Sequence, residues 1–203
     1  MAIGDTKTTL RVGVLFEHVQ FADLACMDVL NNLSTQVVSV FAAVEPRYEK
    51  LLPHAQPMEF LFLAPTLDPY VMTTGIRVVP THTYETAPKD LDMLLIGGPP
   101  PSDVSEASKE YIKEAVKRTK TVMSVCTGGW WLATAGVLDG KKATTNRGVL
   151  PLTKKFHPDV EWLDQRWVVE KGWFEGAELW TSGGAGAGKF TISSSCCDCT
   201  DER

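Results

Sequence analysis

Apolar residues in this chain fall into two patterns, short uninterrupted runs and longer stretches in which they recur at helical spacing. The short runs are typical of strands buried in a sheet, and they cover residues 11–16, 37–44, 59–64, 76–80, 92–98 and 121–125. The helical spacing predicts helices over residues 23–33, 104–118 and 127–138. Two later runs separated by a Gly-containing bend, 166–169 and 178–181, predict a hairpin. The alternation of strands with helices predicts an α/β fold, a doubly wound and mostly parallel sheet with helices on both faces.

Residues 11–188 are expected to form one domain, because no internal repeat and no linker rich in Pro, Gly or Ser divides them. We expect residues 1–10 to be a flexible N-terminus. Residues 189–203 contain a run of Ser and Thr that disfavours a helix, so we expect an atypical, disordered tail. The three cysteines of this tail have no fourth ligand nearby and do not indicate a metal site. They are Cys196, Cys197 and Cys199.

Composition narrows the class of protein. Hydrophobic residues make up 44% and charged residues 22% of the chain, which is typical of a folded globular protein. The net charge of -5 and the scattered lysines and arginines argue against a nucleic-acid partner. No apolar run approaches the roughly 20 residues that cross a bilayer, so we expect no membrane partner. The N-terminus has no signal-like apolar stretch and the five cysteines do not suggest a disulfide framework, so we expect a cytoplasmic, reducing location.

Cys126 is the strongest candidate for chemistry, because it falls between an apolar strand and a helix in Ser-Val-Cys-Thr-Gly. A sharp turn that presents a nucleophile between strand and helix is a nucleophile elbow. The helix N-terminus that follows is expected to favour the thiolate over the thiol. The alternative is a buried structural cysteine, which is the interpretation we give to Cys26 on its apolar helix face.

Several short motifs, the one around Cys126 among them, occur along nearly the whole chain, from residue 11 to residue 188. They are Gly-Val-Leu-Phe at 13–16, Asp-Leu at 23–24, Asp-Val-Leu at 28–30, Leu-Leu-Ile-Gly-Gly at 94–98, Ser-Val-Cys-Thr-Gly at 124–128, Ala-Gly-Val-Leu-Asp-Gly-Lys at 135–141, Ala-Thr-Thr at 143–145 and Thr-Ser-Gly-Gly-Ala-Gly at 181–186. In order and spacing the sequence resembles the DJ-1/PfpI superfamily, which has a flavodoxin-like fold. Asp23 and the threonine after Cys126 make it most similar to the isocyanide-hydratase-like branch.

The resemblance implies a role for each matching residue. Cys126 is expected to be the nucleophile, with Asp23 as the acidic residue that exchanges protons near its sulfur; the alternative for Asp23 is a helix N-cap. Thr127 is expected to contribute its backbone N–H to a pocket that holds a developing anion. The glycines of that substrate pocket are Gly97, Gly98 and Gly128.

The chain departs from the superfamily pattern at three places. Thr127 stands where other members carry a histidine, so a Cys-His dyad is absent and protease or amidase activity is disfavoured. Asn146-Arg147 stands where the most similar members tend to have His-Trp. After Gly188 the superfamily continues into an apolar helix, whereas this chain does not, and we expect uncovered apolar surface as a consequence.

The function that the resemblance implies is a cysteine-dependent hydratase. Its partner would be a small-molecule electrophile such as an isocyanide, its product an N-substituted formamide, and it would need no cofactor. Members of the superfamily commonly form homodimers, and we expect one here. Two alternatives stay open at this point: a glyoxalase-like enzyme acting on 2-oxoaldehydes, and a non-enzymatic cysteine redox sensor with a protective role.

Overall fold

The computed structural model describes residues 8–102 and 104–188, so the predictions for residues 1–7 and for the tail at 189–203 lie outside the described residues. The strands in this part of the chain are β1 (Leu10–Leu15), β2 (Met58–Ala64), β3 (Tyr70–Val71), β4 (Arg77–Val78), β5 (His82–Thr83), β6 (Met93–Ile96), β7 (Thr121–Val125), β8 (Lys142–Ala143), β9 (Glu161–Trp162), β10 (Trp167–Lys171) and β11 (Glu178–Ser182). The helices are α1 (Phe21–Leu24), α2 (Cys26–Asn31), α3 (Thr35–Val44), α4 (Glu106–Ala115), α5 (Gly128–Thr134) and α6 (Leu150–Phe156), with a short 3-10 helix at Pro46–Leu51.

A seven-stranded sheet organises the molecule, with the strand order β10-β11-β7-β6-β1-β2-β5. Every neighbouring pair in it is parallel except β10 and β11, which form the predicted antiparallel hairpin. Successive residues of β6 and β7 are buried although they point to opposite faces, so both faces of the sheet are covered. The predicted doubly wound, mostly parallel α/β fold is confirmed.

The prediction of a strand at residues 37–44 is wrong, because this segment lies within the helix α3. Ser34 caps that helix: its Oγ accepts a hydrogen bond from the backbone N–H of Val37 at 3.2 Å. Val38 and Ala42, four residues apart, are the residues that α3 buries. Capping and tertiary packing therefore outweigh the strand preference of a segment rich in valine.

Other boundaries shift by smaller amounts. The helix predicted over 23–33 divides into α1 and α2. The helix α4 begins after Ser105, whose Oγ accepts from the N–H of Ser108 at 3.1 Å, and it is shorter at both ends than the predicted helix over 104–118. The helix α5 ends at Thr134, four residues before its predicted end. Among the described residues, no helix combines the length and the apolar character that crossing a membrane requires.

The carboxyl ends of the four central parallel strands meet at one edge of the sheet. Phe16 follows β1, Gly97 follows β6, Cys126 follows β7 and Gly183 follows β11. Loops at this edge of an open parallel sheet are the usual location of a ligand site. The fold therefore brings Cys126 together with residues that lie far from it along the chain.

Candidate active site

Cys126 occupies a strained turn between β7 and α5. Its φ angle is +59°, in the left-handed region that residues with a Cβ seldom adopt. The turn is held on both sides: the N–H of Cys126 donates to the carbonyl of Ser182 at 3.0 Å. Its own carbonyl accepts from Thr145 Oγ1 at 2.9 Å and from the N–H of Asn146 at 3.2 Å. These bonds keep the predicted nucleophile elbow in place.

The glycines at positions 97 and 128 allow close packing beneath the turn. A Cβ at Gly128 would lie 2.4 Å from the carbonyl oxygen of Ile96, so only glycine lets α5 begin against the end of β6. A Cβ at Gly97 would lie 3.0 Å from a methyl carbon of Leu24 on α1. Both were assigned to the substrate pocket from the sequence, and in the structure both make close packing contacts between elements.

Asp23 brings a buried carboxylate to the sulfur. Only 2% of the residue is exposed, and its Oδ2 accepts a hydrogen bond from the backbone N–H of Gly98 at 3.1 Å. The Cys126 side chain lies beside it. The alternative interpretation as a helix cap is wrong, because Asp23 lies inside α1 and the N-cap residue is Gln20.

Burial raises the pKa of Asp23 from its ordinary value of 3.8 to about 6. The N–H of Gly98 and the thiol of Cys126 act in the opposite direction, because each stabilises the carboxylate, but the loss of water is the larger effect. At neutral pH the carboxylate is therefore mostly ionised, yet it accepts a proton more readily than an exposed aspartate.

The pKa of the Cys126 thiol is raised, so the expectation that the helix N-terminus makes it a ready thiolate is wrong. Burial is the main cause, and the negative charge of Asp23 adds to it. The Asn146 amide and the backbone N–H of Thr127 lower the pKa, but by less. The helix α5 that follows the cysteine has only seven residues. The resting nucleophile is therefore a thiol that lies beside a carboxylate.

Asn146 belongs to the site although the sequence did not identify it as a site residue. Its Nδ2 donates to the sulfur of Cys126 at 3.1 Å, and its Oδ1 accepts from the N–H of Gly148 at 2.8 Å. The sequence signal was its place directly after the Ala-Thr-Thr motif, where the resemblance led us to expect the His-Trp of the most similar members. The contact depends on a segment 20 residues after the cysteine, which no local pattern predicts.

Thr127 and Gly98 pack against each other beside Cys126 and Asp23. A Cβ at Gly98 would lie 2.4 Å from Thr127 Oγ1 and 2.8 Å from Asp23 Oδ2, so glycine is required there. Thr127 Oγ1 donates to the carbonyl of Pro99 at 2.7 Å. The N–H of Gly98 donates to Asp23, and the N–H of Thr127 lies near enough to the Cys126 sulfur to lower its pKa. Of the two predicted donors, Gly98 therefore already has the Asp23 carboxylate as its partner.

The aromatic residues and histidines near the site divide between core and surface. Trp131 is fully buried in the core, and its Nε1 donates to Ser108 Oγ at 3.0 Å. Trp130 packs its ring edge to face with His157. His18 is exposed and lies in a loop. Among the described residues, no cluster of three His, Cys, Asp or Glu side chains could hold a metal ion.

Curated relatives match parts of the chain. A segment of 83 residues is 36% identical to isonitrile hydratase of Pseudomonas putida, and it covers 39% of this chain and 36% of that protein. A segment of 92 residues is 33% identical to deglycase PfpI of Pyrococcus furiosus, covering 44% of this chain and 54% of the deglycase. The matches thus span about a third of the hydratase and about half of the deglycase.

Similarity to solved structures extends over the whole fold. A ThiJ/PfpI family protein from Pseudomonas syringae superposes with a TM-score of 0.71 at 21% identity, covering 94% of this chain and 69% of that one. DJ-1 of Schizosaccharomyces pombe has a TM-score of 0.65 at 16% identity, covering 95% of this chain and 93% of its own. The sequence model of the DJ-1/PfpI family matches residues 17–189, a range that contains Asp23, Gly98, Cys126 and Asn146. The chain belongs to the DJ-1/PfpI family.

Proposed function

We propose that this protein is a cysteine-dependent hydratase that adds water to a small neutral isocyanide and releases an N-substituted formamide. Cys126 is the nucleophile and Asp23 is the group that moves protons. The proposal is supported by the site's chemistry and by the similarity of part of the chain to a protein named isonitrile hydratase.

The observation that carries the proposal is the position of the buried Asp23 carboxylate, which accepts the N–H of Gly98 at 3.1 Å and lies beside the Cys126 thiol. A thiol is a poor nucleophile and the thiolate a good one. A carboxylate with a pKa of about 6 is ionised at neutral pH and accepts the thiol proton as attack begins. The pair therefore generates the nucleophile when substrate is present, without the histidine that position 127 lacks.

In the first step, the proton of Cys126 passes to Asp23 and from there to the terminal carbon of the isocyanide. The carbon lone pair forms the new C–H bond, and a sulfur lone pair forms an S–C bond to the same carbon. The N–C triple bond becomes a double bond as one electron pair moves to nitrogen. The product is a neutral thioimidate covalently attached to Cys126.

In the second step, Asp23 has returned to its carboxylate form and accepts a proton from water as the water oxygen adds to the imidate carbon. The nitrogen takes up that proton from Asp23. As the tetrahedral intermediate collapses, its hydroxyl proton passes to Asp23, the C=O bond forms and the S–C bond breaks. Cys126 leaves as a thiolate and regains a proton from Asp23, and the product is an N-substituted formamide. One water molecule is consumed, and no oxidant, reductant or cofactor is required.

The charges around the sulfur favour an uncharged substrate. Asp23 places a negative charge beside the site, which disfavours anions. Arg147, which follows Asn146, directs its guanidinium to Asp164 at 2.7 Å and is mostly exposed. It therefore does not act as an anion clamp at Cys126.

The test is to incubate the protein with alkyl and aryl isocyanides and measure formamide by NMR, with intact-mass spectrometry for an adduct on Cys126. Cys126→Ser should abolish product, whereas the matched variant Cys26→Ala should keep it. A parallel panel of 2-oxoaldehydes tests the glyoxalase-like alternative. Turnover of 2-oxoaldehydes without formamide production would refute the hydratase.

A further inference from the structure

Asn146 contacts the reacting sulfur directly, and the mechanism above does not use it. Its Nδ2 lies 3.1 Å from Cys126 Sγ, within the range of a hydrogen bond to sulfur. It reaches the site from the loop after β8, whereas Asp23 reaches it from α1. The thiol can therefore donate its proton to Asp23 and accept an N–H from Asn146 at the same time.

The orientation of the Asn146 amide is fixed by its other contacts. Oδ1 accepts the N–H of Gly148 at 2.8 Å, so the oxygen end of the amide is occupied and the nitrogen end faces the sulfur. The backbone N–H of Asn146 also donates to the carbonyl of Cys126 at 3.2 Å. Donor and sulfur thus belong to one hydrogen-bonded unit, and the contact is preorganised.

Sulfur becomes negatively charged twice in a thiol-based addition and elimination, once before attack and once on departure. In a site where only 6% of the cysteine is exposed, that charge has little water to stabilise it. Nearby N–H groups must replace the water, and the backbone N–H of Thr127 is one of them. The side-chain donor is Asn146, whose amide does not titrate and donates at every pH.

We propose that Asn146 is a catalytic residue of this site, whose amide stabilises the anionic sulfur of Cys126 after the thiol proton has passed to Asp23. The inference rests on the nucleophilic role of Cys126 in the proposed function but not on the identity of the electrophile. In this chain an amide donor therefore supports the nucleophile from the position where the most similar superfamily members tend to carry His-Trp.

The alternative is that Asn146 only shapes the turn at Gly148, and two variants separate the roles. Asn146→Asp is nearly isosteric and keeps the oxygen that accepts the N–H of Gly148, but places a negative charge beside the sulfur. Asn146→Ala removes both functions without adding charge. Arg147→Ala, next in the chain, removes an exposed ion pair with Asp164 and serves as the control.

The experiment measures the rate of iodoacetamide labelling of Cys126 between pH 6 and pH 10 in the full chain, with peptide mass spectrometry to separate it from the other cysteines. Since a hydrogen bond to a charged group is lost, Asn146→Ala should label about tenfold more slowly at pH 7, with its profile moved to higher pH. Asn146→Asp should be slower still, by about a hundredfold. Arg147→Ala should follow the unmodified protein.

A labelling profile of Asn146→Asp that coincides with that of the unmodified protein would overturn the proposal, because the charge beside sulfur would then have no effect. Thermal melts of each variant accompany the labelling. If the melting temperature of Asn146→Ala is clearly lowered, its labelling rate is set aside, and the proposal is judged on the labelling of Asn146→Asp against the unmodified protein. Failure of the protein to hydrate isocyanides would refute the proposed function. It would leave the labelling result unchanged, because iodoacetamide reacts with the Cys126 sulfur whatever the natural substrate is.

Discussion

The backbone N–H of Gly98 donates to the carboxylate of Asp23 at 3.1 Å, a buried contact between residues 75 positions apart in the chain. It joins the end of β6 to the helix α1 and holds the carboxylate where Cys126 can reach it. The bond stabilises the ionised form, yet the pKa of Asp23 is still raised to about 6, because burial disfavours the carboxylate more than the hydrogen bond stabilises it. Burial of Asp23 against the end of β6 thus both positions the proposed base and sets its proton affinity.

Asp23→Asn should greatly reduce turnover and leave the fold intact. The amide oxygen of asparagine can still accept the N–H of Gly98, so the contact to β6 survives while the proton acceptor is lost. A loss of about 10²–10⁴-fold in kcat is expected for removal of a general base. Steady-state assays with an isocyanide, together with far-UV circular dichroism, would measure both. Full activity in this variant would show that Asp23 is not the base.

The same substitution should stabilise the protein at alkaline pH. The folded-state pKa of Asp23 is about 6 and its ordinary value is 3.8. The wild-type protein therefore loses stability as pH rises through this window, because the folded state disfavours the ionised form. The upper bound of that loss is about 3 kcal/mol. Urea unfolding at pH 4 and pH 8 should show Asp23→Asn gaining stability relative to the wild type only at pH 8. An equal difference at both values would contradict the assigned pKa.

The central sheet could be predicted because its strands are continuous apolar runs, and a strand buried on both faces requires such a run. The segment at 37–44 has the same valine-rich character and is nevertheless α3. What distinguishes it is Ser34, a cap three residues before Val37, and a single buried face. The strand propensity of valine takes account of neither the cap nor the single buried face.

Within the site, the positions of Cys126 and Asp23 followed from the motif, whereas their proton affinities did not. The helix that follows the cysteine suggested a lowered pKa, but burial sets the net direction and burial is a property of the assembled fold. Asn146 illustrates the same limit. Its contact with sulfur depends on the path of the chain between β7 and β8, which residue types near Cys126 do not encode.

Cys126 should label faster than Cys26 in the native protein. Position at the start of a helix does not distinguish the two thiols, because Cys26 also opens a helix, α2. Cys26 is 1% exposed and its thiol donates to the carbonyl of Asp23 at 3.4 Å, whereas Cys126 lies at the sheet edge between Asp23 and Asn146. Pulse labelling with iodoacetamide and peptide mapping of these two thiols alone provides the measurement. Faster labelling of Cys26 would refute the nucleophile elbow.

Gly98→Ala should inactivate the protein by displacing catalytic groups. The added Cβ would lie 2.8 Å from both Asp23 Oδ2 and the backbone nitrogen of Thr127, so at least one must move. Misplacement of a reacting group by about 1 Å can cost about 10²-fold in rate. Gly184→Ala is the matched control, since a Cβ there meets no atom within 4 Å. Equal kcat values for the two variants would show that the close approach at Gly98 is not needed.

Outside the site, a second buried carboxylate ties three elements together. Glu17 is 1% exposed, and its carboxylate accepts hydrogen bonds from the hydroxyl of Tyr84 and, at 2.9 Å, from Ser105 Oγ. The backbone N–H of Ser105 donates to the other carboxylate oxygen at 3.3 Å. Because Ser105 is the cap of α4, the carboxylate links the loop after β1 to the start of that helix. Burial raises the pKa of Glu17, and these bonds partly offset the effect.

The coupling between Glu17 and Tyr84 should be measurable as non-additive stability. Glu17→Ala removes the acceptor and leaves the Tyr84 hydroxyl buried without its partner, so a loss of about 2–4 kcal/mol is expected. Tyr84→Phe leaves Glu17 bonded to Ser105 and should cost only about 1 kcal/mol. In the double variant no phenol is left unpaired, and its loss should be smaller than the sum of the two single losses by about 1 kcal/mol or more. Urea unfolding of all four proteins at pH 7 completes the cycle. Strict additivity would mean that the two side chains stabilise the fold independently, which the buried hydrogen bond between them does not allow.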